Sequence, residues 1–396
     1  MASALGGIKV LDLSILVQGP QAALMLHDLG ADVIKVELPV AGDLARHIVI
    51  SADDRRSGVW EACNRGKRSI TLDLRQPGGK TALRRLVEQS DVLIHNFVPG
   101  TMELWDLSYE SLRDINPRLV FASGSSFGPL GPDAHREGAD TIGQAWGGLI
   151  STTGTNDGEP TPVGALIADH SGCQNMVTGI LAALFHRERT GEGQRVDVSL
   201  FGAMIWAQAS ELSHQSMSGQ LLGRANRGHP LIRALLRMVP TSDGWIQLVG
   251  VPPHLWPGFC RAMDRPDLIE DPRFATLFMT PEDLQALKDV VDTIFPTRTT
   301  DEWCERLRAE NQRFAPVRNH LDVLADPGAV ENGYLVDVEH PDYGSIRVVG
   351  SPIRLSATPT VPAVVAPGLG HHTEEILLEA GFTWDDIAEL QGQGAY

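Results

Sequence analysis

Short apolar runs alternate with helix-patterned stretches through the first 124 residues, and this alternation constrains the fold more than any other feature. "IKVLDLS" (8–14), "DVIKVEL" (32–38), "SITLDL" (69–74), "DVLIHNF" (91–97) and "LVFASG" (119–124) read as strands. Between them lie "PQAALMLHDLG" (20–30), "GGKTALRRLVEQS" (78–90) and "TMELWDLSYESLRDI" (101–115), patterned as helices. Such a succession predicts βαβ units, and so a mainly parallel sheet with helices on its faces. The loops that follow the strands are then the expected ligand-binding edge. A long helical pattern runs from Asp169 to about Arg187, and "RVDVSLF" (195–201) returns as a strand.

The rhythm changes beyond residue 213. "HQSMSGQLLGRANRGHP" (214–230) is rich in Gly, Ser and Asn and reads as a linker. A smaller α+β domain is expected over 231–325, where "SDGWIQLVG" leads into a strand and "PEDLQALKDVVDTIF" and "TDEWCERLRAE" have helical spacing. The tail, 326–396, contains "GYLVDVEHPDYGSIRVVG", two strands around an Asp-Tyr-Gly turn, and then a final helical pair. It is expected to return to the large domain begun by 1–213.

Composition excludes several function classes. Fifty acidic against 33 basic residues give a net charge of −17. That argues against nucleic acid or a membrane surface as partner, since both usually select a basic footprint. An anionic ligand would need a local basic patch. Four scattered cysteines without a CxxC pair suit neither a disulfide framework nor a zinc site. With no secretory leader and no apolar run long enough to span a bilayer, the expected setting is cytoplasmic. "GLGHH" (368–372) reads as a turn, and adjacent His371 and His372 would not share a helix face, so no metal is expected. Neither a phosphate loop nor GxSxG is present.

The strand-end clusters are more informative. "LVQGPQAA" puts Gln18, Gly19 and Pro20 at the first strand-to-helix turn, and "NRGKRSITLDLR" groups Arg65, Lys67, Arg68 and Arg75. Singly these are ordinary loop residues; together they suggest a phosphorylated ligand. Lys67 and Arg68 are either phosphate contacts or a solvated charged turn. In "ALIADHSGCQN", Asp169 stands between the apolar runs 165–168 and 180–185, where an unpaired carboxylate is costly. It is either a helix cap or a nucleophile.

Taken in order, "GIKVLDLS", "LGADVIKVE", "NRGKRSITLDLR", "LIHNFVPG", "DTIGQAWGG", "TGEGQRVDVSL", "DGWIQLVG" and "APVRNHLDVLADP" resemble the class III CoA transferases across nearly the whole chain. That family includes formyl-CoA transferase, the carnitine and bile-acid CoA transferases, and alpha-methylacyl-CoA racemase. The resemblance implies a Rossmann-like large domain and a smaller domain in a ring-shaped subunit, two of which interlock as a dimer. It implies an acyl-CoA:carboxylate CoA-transferase with CoA thioesters as substrates, carboxylic acids as acceptors and no tightly bound cofactor. Asp169 then matches the family's aspartate nucleophile, and Gln18 a position near the reacting thioester. Val17, Leu72, Arg75, Asn96 and Phe97 match positions lining the nucleotide and pantetheine. Leu38 and Leu104 stand where arginines are frequent, and Arg46 and Arg136 are candidate substitutes.

A racemase needs two acid/base groups, and its branch carries a histidine where this chain has Ala139 and a glutamate where it has Pro252. Both departures favour transfer. Formyl-CoA transferase has a glycine-rich lid where this chain has "VGVPPH"; Pro252 and Pro253 stiffen it, pointing to an acceptor larger than a one- or two-carbon acid. The alternatives are the racemase and a non-catalytic CoA-binding subunit paired with a catalytic paralogue.

Overall fold

Residues 3–396 are described by a computed structural model, in which the chain divides into two units. The larger comprises 3–147, 164–207 and 326–396 of the described residues; the smaller comprises 148–163 and 208–325. Residues 148–163 and the stretch read as a linker therefore group with the smaller unit. Part of that stretch is helix, Ala209–Ser218, none of whose residues is buried.

The larger unit is built on six parallel strands, β1 (Lys9–Asp12), β2 (Asp32–Glu37), β3 (Arg68–Thr71), β4 (Val92–His95), β5 (Val120–Ser125) and β6 (Arg195–Ser199). Their order in the sheet is β3-β2-β1-β4-β5-β6. Side chains alternate between two cores, as period-two geometry requires. Leu11, Ile34, Leu93 and Phe121 enter one, beneath the helices Pro77–Val87, Thr373–Glu379 and Trp384–Gly392. Val10, Val33, Val92 and Val120 enter the other, against the helices Gln18–Asp28 and Ile167–Thr190. Strand order reverses between β1 and β4, so the loops after these two strands open the crevice where such sheets bind ligands.

The expected helix over 101–115 is two helices, Thr101–Leu104 and Tyr109–Ile115. Asp106 between them lies at φ 56, a left-handed conformation that ends the first turn. The sixth strand stops at Ser199, and Leu200–Ala207 is helical. The tail forms an antiparallel hairpin, β10 (Leu335–His340) with β11 (Gly344–Val349).

The smaller unit has its own antiparallel sheet, β7 (Arg237–Pro240), β8 (Trp245–Leu248) and β9 (Phe314–Pro316). Its core is aromatic. Trp303 stacks on Phe295 with ring centroids 4.2 Å apart, and its indole N–H donates to the Phe295 carbonyl at 2.7 Å. A buried Trp is stable where both its face and its N–H find partners.

Candidate active site

The loop joining β1 to the helix Gln18–Asp28 is held from below by buried charges. Lys67 Nζ donates to Asp12 Oδ2 at 2.7 Å, to Pro20 O at 2.8 Å and to Asn64 Oδ1 at 2.8 Å. Lys35 bonds the Ser14 carbonyl and pairs with Asp43 at 2.8 Å. Asp43 Oδ1 accepts from the Leu16 N–H at 2.9 Å, fixing a non-glycine residue at φ 65. Burial alone would raise the Asp12 carboxyl, but the Lys35 and Lys67 ammonium groups outweigh it and hold it below the usual carboxylate range.

Three of the four cations of the basic cluster are therefore not phosphate-ready. Lys67 is sealed in this lattice, Arg65 pairs with Asp28 through both terminal nitrogens at 2.7 Å, and Arg68 bridges Asp32, Glu375 and Glu379. Both readings of Lys67 fall, because each ammonium proton already has an acceptor and the residue is buried.

The same loop carries Val17 and Gln18, both buried. The Gln18 amide is wedged between two glycines: a Cβ at Gly124 would lie 2.3 Å from its Oε1, and one at Gly172 would lie 2.6 Å from its Nε2. Only glycine admits an approach this close. Gln18 Nε2 is buried with no hydrogen-bond partner, a donor without an acceptor. Gly172 lies three residues beyond Asp169 on the helix Ile167–Thr190, and so on the same face.

Asp169 sits in the first turn of that helix, whose N-cap, Leu166, provides no side-chain bond. The cap comes instead from Asp140, at the start of the helix Asp140–Trp146. Asp140 Oδ1 accepts from the N–H groups of Ala168 at 2.7 Å and Asp169 at 3.2 Å, and Oδ2 accepts from Gln144 Nε2 at 2.6 Å. The capping role is thus taken 29 residues upstream, and the Asp169 carboxylate has no hydrogen-bond partner among the described residues. Burial, and then the like charge of Asp140, push the Asp169 carboxyl up to about 7. The flanks are less dry than the sequence suggested: Ala168 is buried, whereas Ala165 and Leu166 are exposed.

Other nucleophiles and proton carriers near the sheet are silent. Burial pushes the thiols of Cys63 and Cys173 up to about 12, and depresses buried His95, packed on Phe97 and Phe121, to about 3. His170 bonds Gln21 at 2.6 Å.

Two cavities open at the β1/β4 crevice. One of about 320 Å³ is lined by Leu38, Leu72, Arg75, Phe97 and Trp105, among others. A second of about 460 Å³ shares Phe97 and Trp105 and is lined by Asn96 and Arg136 as well. Arg75 pairs with Asp73 at 2.8 Å, and Arg136 with Asp133 at 2.5 Å while lying over Phe127 and Trp146. Asn96 clamps Ile15, accepting from its N–H and donating to its carbonyl, both at 2.8 Å. Arg46 lines neither cavity; it pairs with Glu37 and lies 3.5 Å over the Trp60 ring. Leu104 is exposed. Among the described residues no group of three or more His, Cys, Asp or Glu is placed to hold a metal, and no helix is long and apolar enough to cross a membrane.

A six-stranded parallel sheet that reverses order between β1 and β4, with a ligand-sized crevice at that point, defines an α/β fold of the doubly wound type. The chain belongs to CoA-transferase family III, whose model matches residues 5–373, and it is a CoA-transferase. It is 37% identical over 389 residues to the succinyl-CoA:mesaconate CoA-transferase of Haloarcula hispanica, covering 96% of each chain. It is 34% identical to the formyl-CoA:oxalate CoA-transferase of Streptomyces coelicolor, covering 99% of each. A crystal structure of a CaiB/BaiF family protein from Brucella suis superposes with a TM-score of 0.84 at 33% identity, covering 96% of this chain and all of that one.

Proposed function

We propose that Asp169 is the covalent nucleophile of the transfer. One carboxylate oxygen attacks the acyl-CoA carbonyl carbon, the C–S bond breaks, and CoA thiolate leaves a mixed anhydride. The thiolate then attacks the Asp169 carbonyl carbon, releasing the donor acid and leaving an aspartyl-CoA thioester. An acceptor carboxylate attacks that thioester, expelling thiolate and forming a second anhydride. Thiolate attack on the acceptor's acyl carbon gives the new acyl-CoA and restores Asp169. Each step exchanges one acyl bond for another, which is how covalent catalysis divides a hard transfer.

The observation that carries this reading is the unbonded Asp169 carboxylate together with the orphan Gln18 amide, which lies against Gly172, one helical turn beyond Asp169. Gln18 Nε2 is a donor for the oxyanions that form at each attack. The glycine wedge fixes it in place. Two positions speak against racemisation: Ala139 carries no proton, and Asp140 is engaged by three donors.

Val17, Leu72, Arg75, Asn96, Phe97 and Arg136 form the CoA-binding crevice in this reading. Its apolar lining receives pantetheine and adenine, with Arg75 and Arg136 exchanging their carboxylate partners for phosphate. The donor is a succinyl-CoA-type thioester and the acceptor a dicarboxylate larger than oxalate. Relatives acting on mesaconate and D-citramalate, at 37% and 33% identity, support this, as do the two prolines at 252–253. The enzyme works as a homodimer in the cytoplasm. Four buried free cysteines suit a reducing compartment, and the exposed Trp146, Ile205 and Trp206 of the larger unit suit a second copy.

The test is to incubate enzyme with acyl-CoA, trap with hydroxylamine or borohydride, and map the modified peptide by mass spectrometry. Adduct on Asp169 is the expected result. No adduct, together with α-hydrogen exchange into deuterated solvent, would overturn it in favour of racemisation; no adduct and no exchange would favour a binding subunit.

A further inference from the structure

A cavity of the smaller unit has a charge opposite to that of the whole chain. It measures about 710 Å³ and lies between the loop 224–237 and the helix Pro281–Ile294. Arg224, Arg227, Arg233, Arg237 and Lys288 line it against two carboxylates, Asp157 and Asp292, in a protein of net charge −17.

Little of this charge is answered within the protein. Arg237 pairs with Asp292 at 3.0 Å. Arg224 donates to the carbonyls of Thr155 and Gly158. Arg227 lies 5.0 Å over the Trp245 ring, which stacks it without neutralising it. Arg233 and Lys288 have no ion-pair partner among the described residues. Burial, and then the neighbouring Arg237, depress the Lys288 ammonium, against the opposing influence of Asp292 and Asp289. Folding gains nothing from gathering like charges around an open space; a bound anion would reverse that balance.

We propose that this cavity is a binding site for a small organic polyanion, a polycarboxylate or a phosphorylated metabolite. Arg233 and Lys288 provide the unneutralised charge. Arg237, held by Asp292, presents a fixed guanidinium suited to a carboxylate or phosphate. Pro230, Leu236 and Leu284 form the apolar part of the wall and accommodate the ligand's carbon frame. The proposal does not depend on the role assigned to Asp169, because all of these residues belong to the smaller unit.

Isothermal titration of the full chain with citrate, and separately with pyrophosphate, tests it and distinguishes the two chemistries. At least one anion is expected to bind, and Arg233→Gln and Lys288→Gln each to weaken binding by about tenfold, the usual cost of one charge-assisted contact. Arg261→Gln, a charge-matched surface change in the same unit, is expected to leave binding unchanged, with circular dichroism confirming that every variant folds. Three results would overturn the proposal: no binding of either anion, equal binding by all variants, or a loss confined to Arg75→Gln, which would place the anion in the β1/β4 crevice.

Discussion

Replacing Asp169 with Asn should make the protein more stable while destroying its activity, and the gain should depend on pH in a definite direction. The folded protein holds the Asp169 proton up to about pH 7, whereas the unfolded chain releases it near the ordinary carboxylate value of 3.8. Between those values the folded state binds more protons, so stability falls as pH rises, and the whole penalty is present above about 7. A shift of about three pH units at 1.36 kcal/mol each sets an upper bound of about 4 kcal/mol. The carboxyl is only half-buried, and solvent screening reduces this to about 2 kcal/mol. Asn has the same shape and no charge. Calorimetry of both proteins should therefore show coincident melting near pH 4. Near pH 8 the variant should melt higher, by about 4 °C for a unit of this size. Taking the difference cancels every other titrating group. A variant equally or less stable near pH 8, or a gain the same at both pH values, would refute an electrostatically strained Asp169.

Activity should show the same group in mirror image: kcat/KM rises with pH through about 7, because the nucleophile must be ionised in the free enzyme. Asp140→Asn removes the like charge and should shift that limb to lower pH in a pH–rate profile, while its weaker cap costs ~1 kcal/mol in urea unfolding. Gln18→Leu should lower kcat by about a hundredfold with little change in KM for acyl-CoA, the signature of a donor used in the transition state. Gly172→Ala should approach that effect through the displaced Gln18 amide, and a normal kcat would remove the oxyanion role. Lys67→Met should cost about 3 kcal/mol in denaturant unfolding by leaving Asp12 with Lys35 as its remaining cation; a variant of normal stability with a raised KM for CoA would restore the phosphate-contact reading.

The inner strands of the large sheet were legible because strands covered on both faces read as near-continuous apolar runs. All six strands overlap the stretches read from the sequence, but β3 starts one residue earlier at Arg68, β5 runs one residue further to Ser125, and the last ends two residues early at Ser199. Ala209–Ser218 left no trace because none of its residues is buried, so it has no apolar period to detect. Asp169 was visible as an acid among apolar neighbours, and Gln18 as an amide at a strand-end turn. Asp140 was missed: its function is to cap a helix 28 residues away, and nothing in "ADTIGQAW" announces a partner at Ala168. Lys67 and Arg68 misled for the same reason in reverse. Their partners, Asp12 at a separation of 55 residues and Glu375 at 307, are adjacent only in space.

This distribution of charge explains how one side of Asp169 stays free. A helix start left bare would have drawn the Asp169 carboxylate onto its own N–H groups, satisfying it and lowering its pKa. Asp140 occupies those donors first and adds a repulsive charge, so the second carboxylate is left without a backbone partner. On the opposite side, Lys67, Lys35, Asp43 and Asn96 pin the 14–20 loop at four backbone positions, Pro20, Ser14, Leu16 and Ile15. Buried ion pairs are weak contributors to stability but strong specifiers of geometry. Here that geometry holds the Gln18 amide unpaired against Gly172, a cost that an acceptor supplied by substrate would offset in the proposed mechanism.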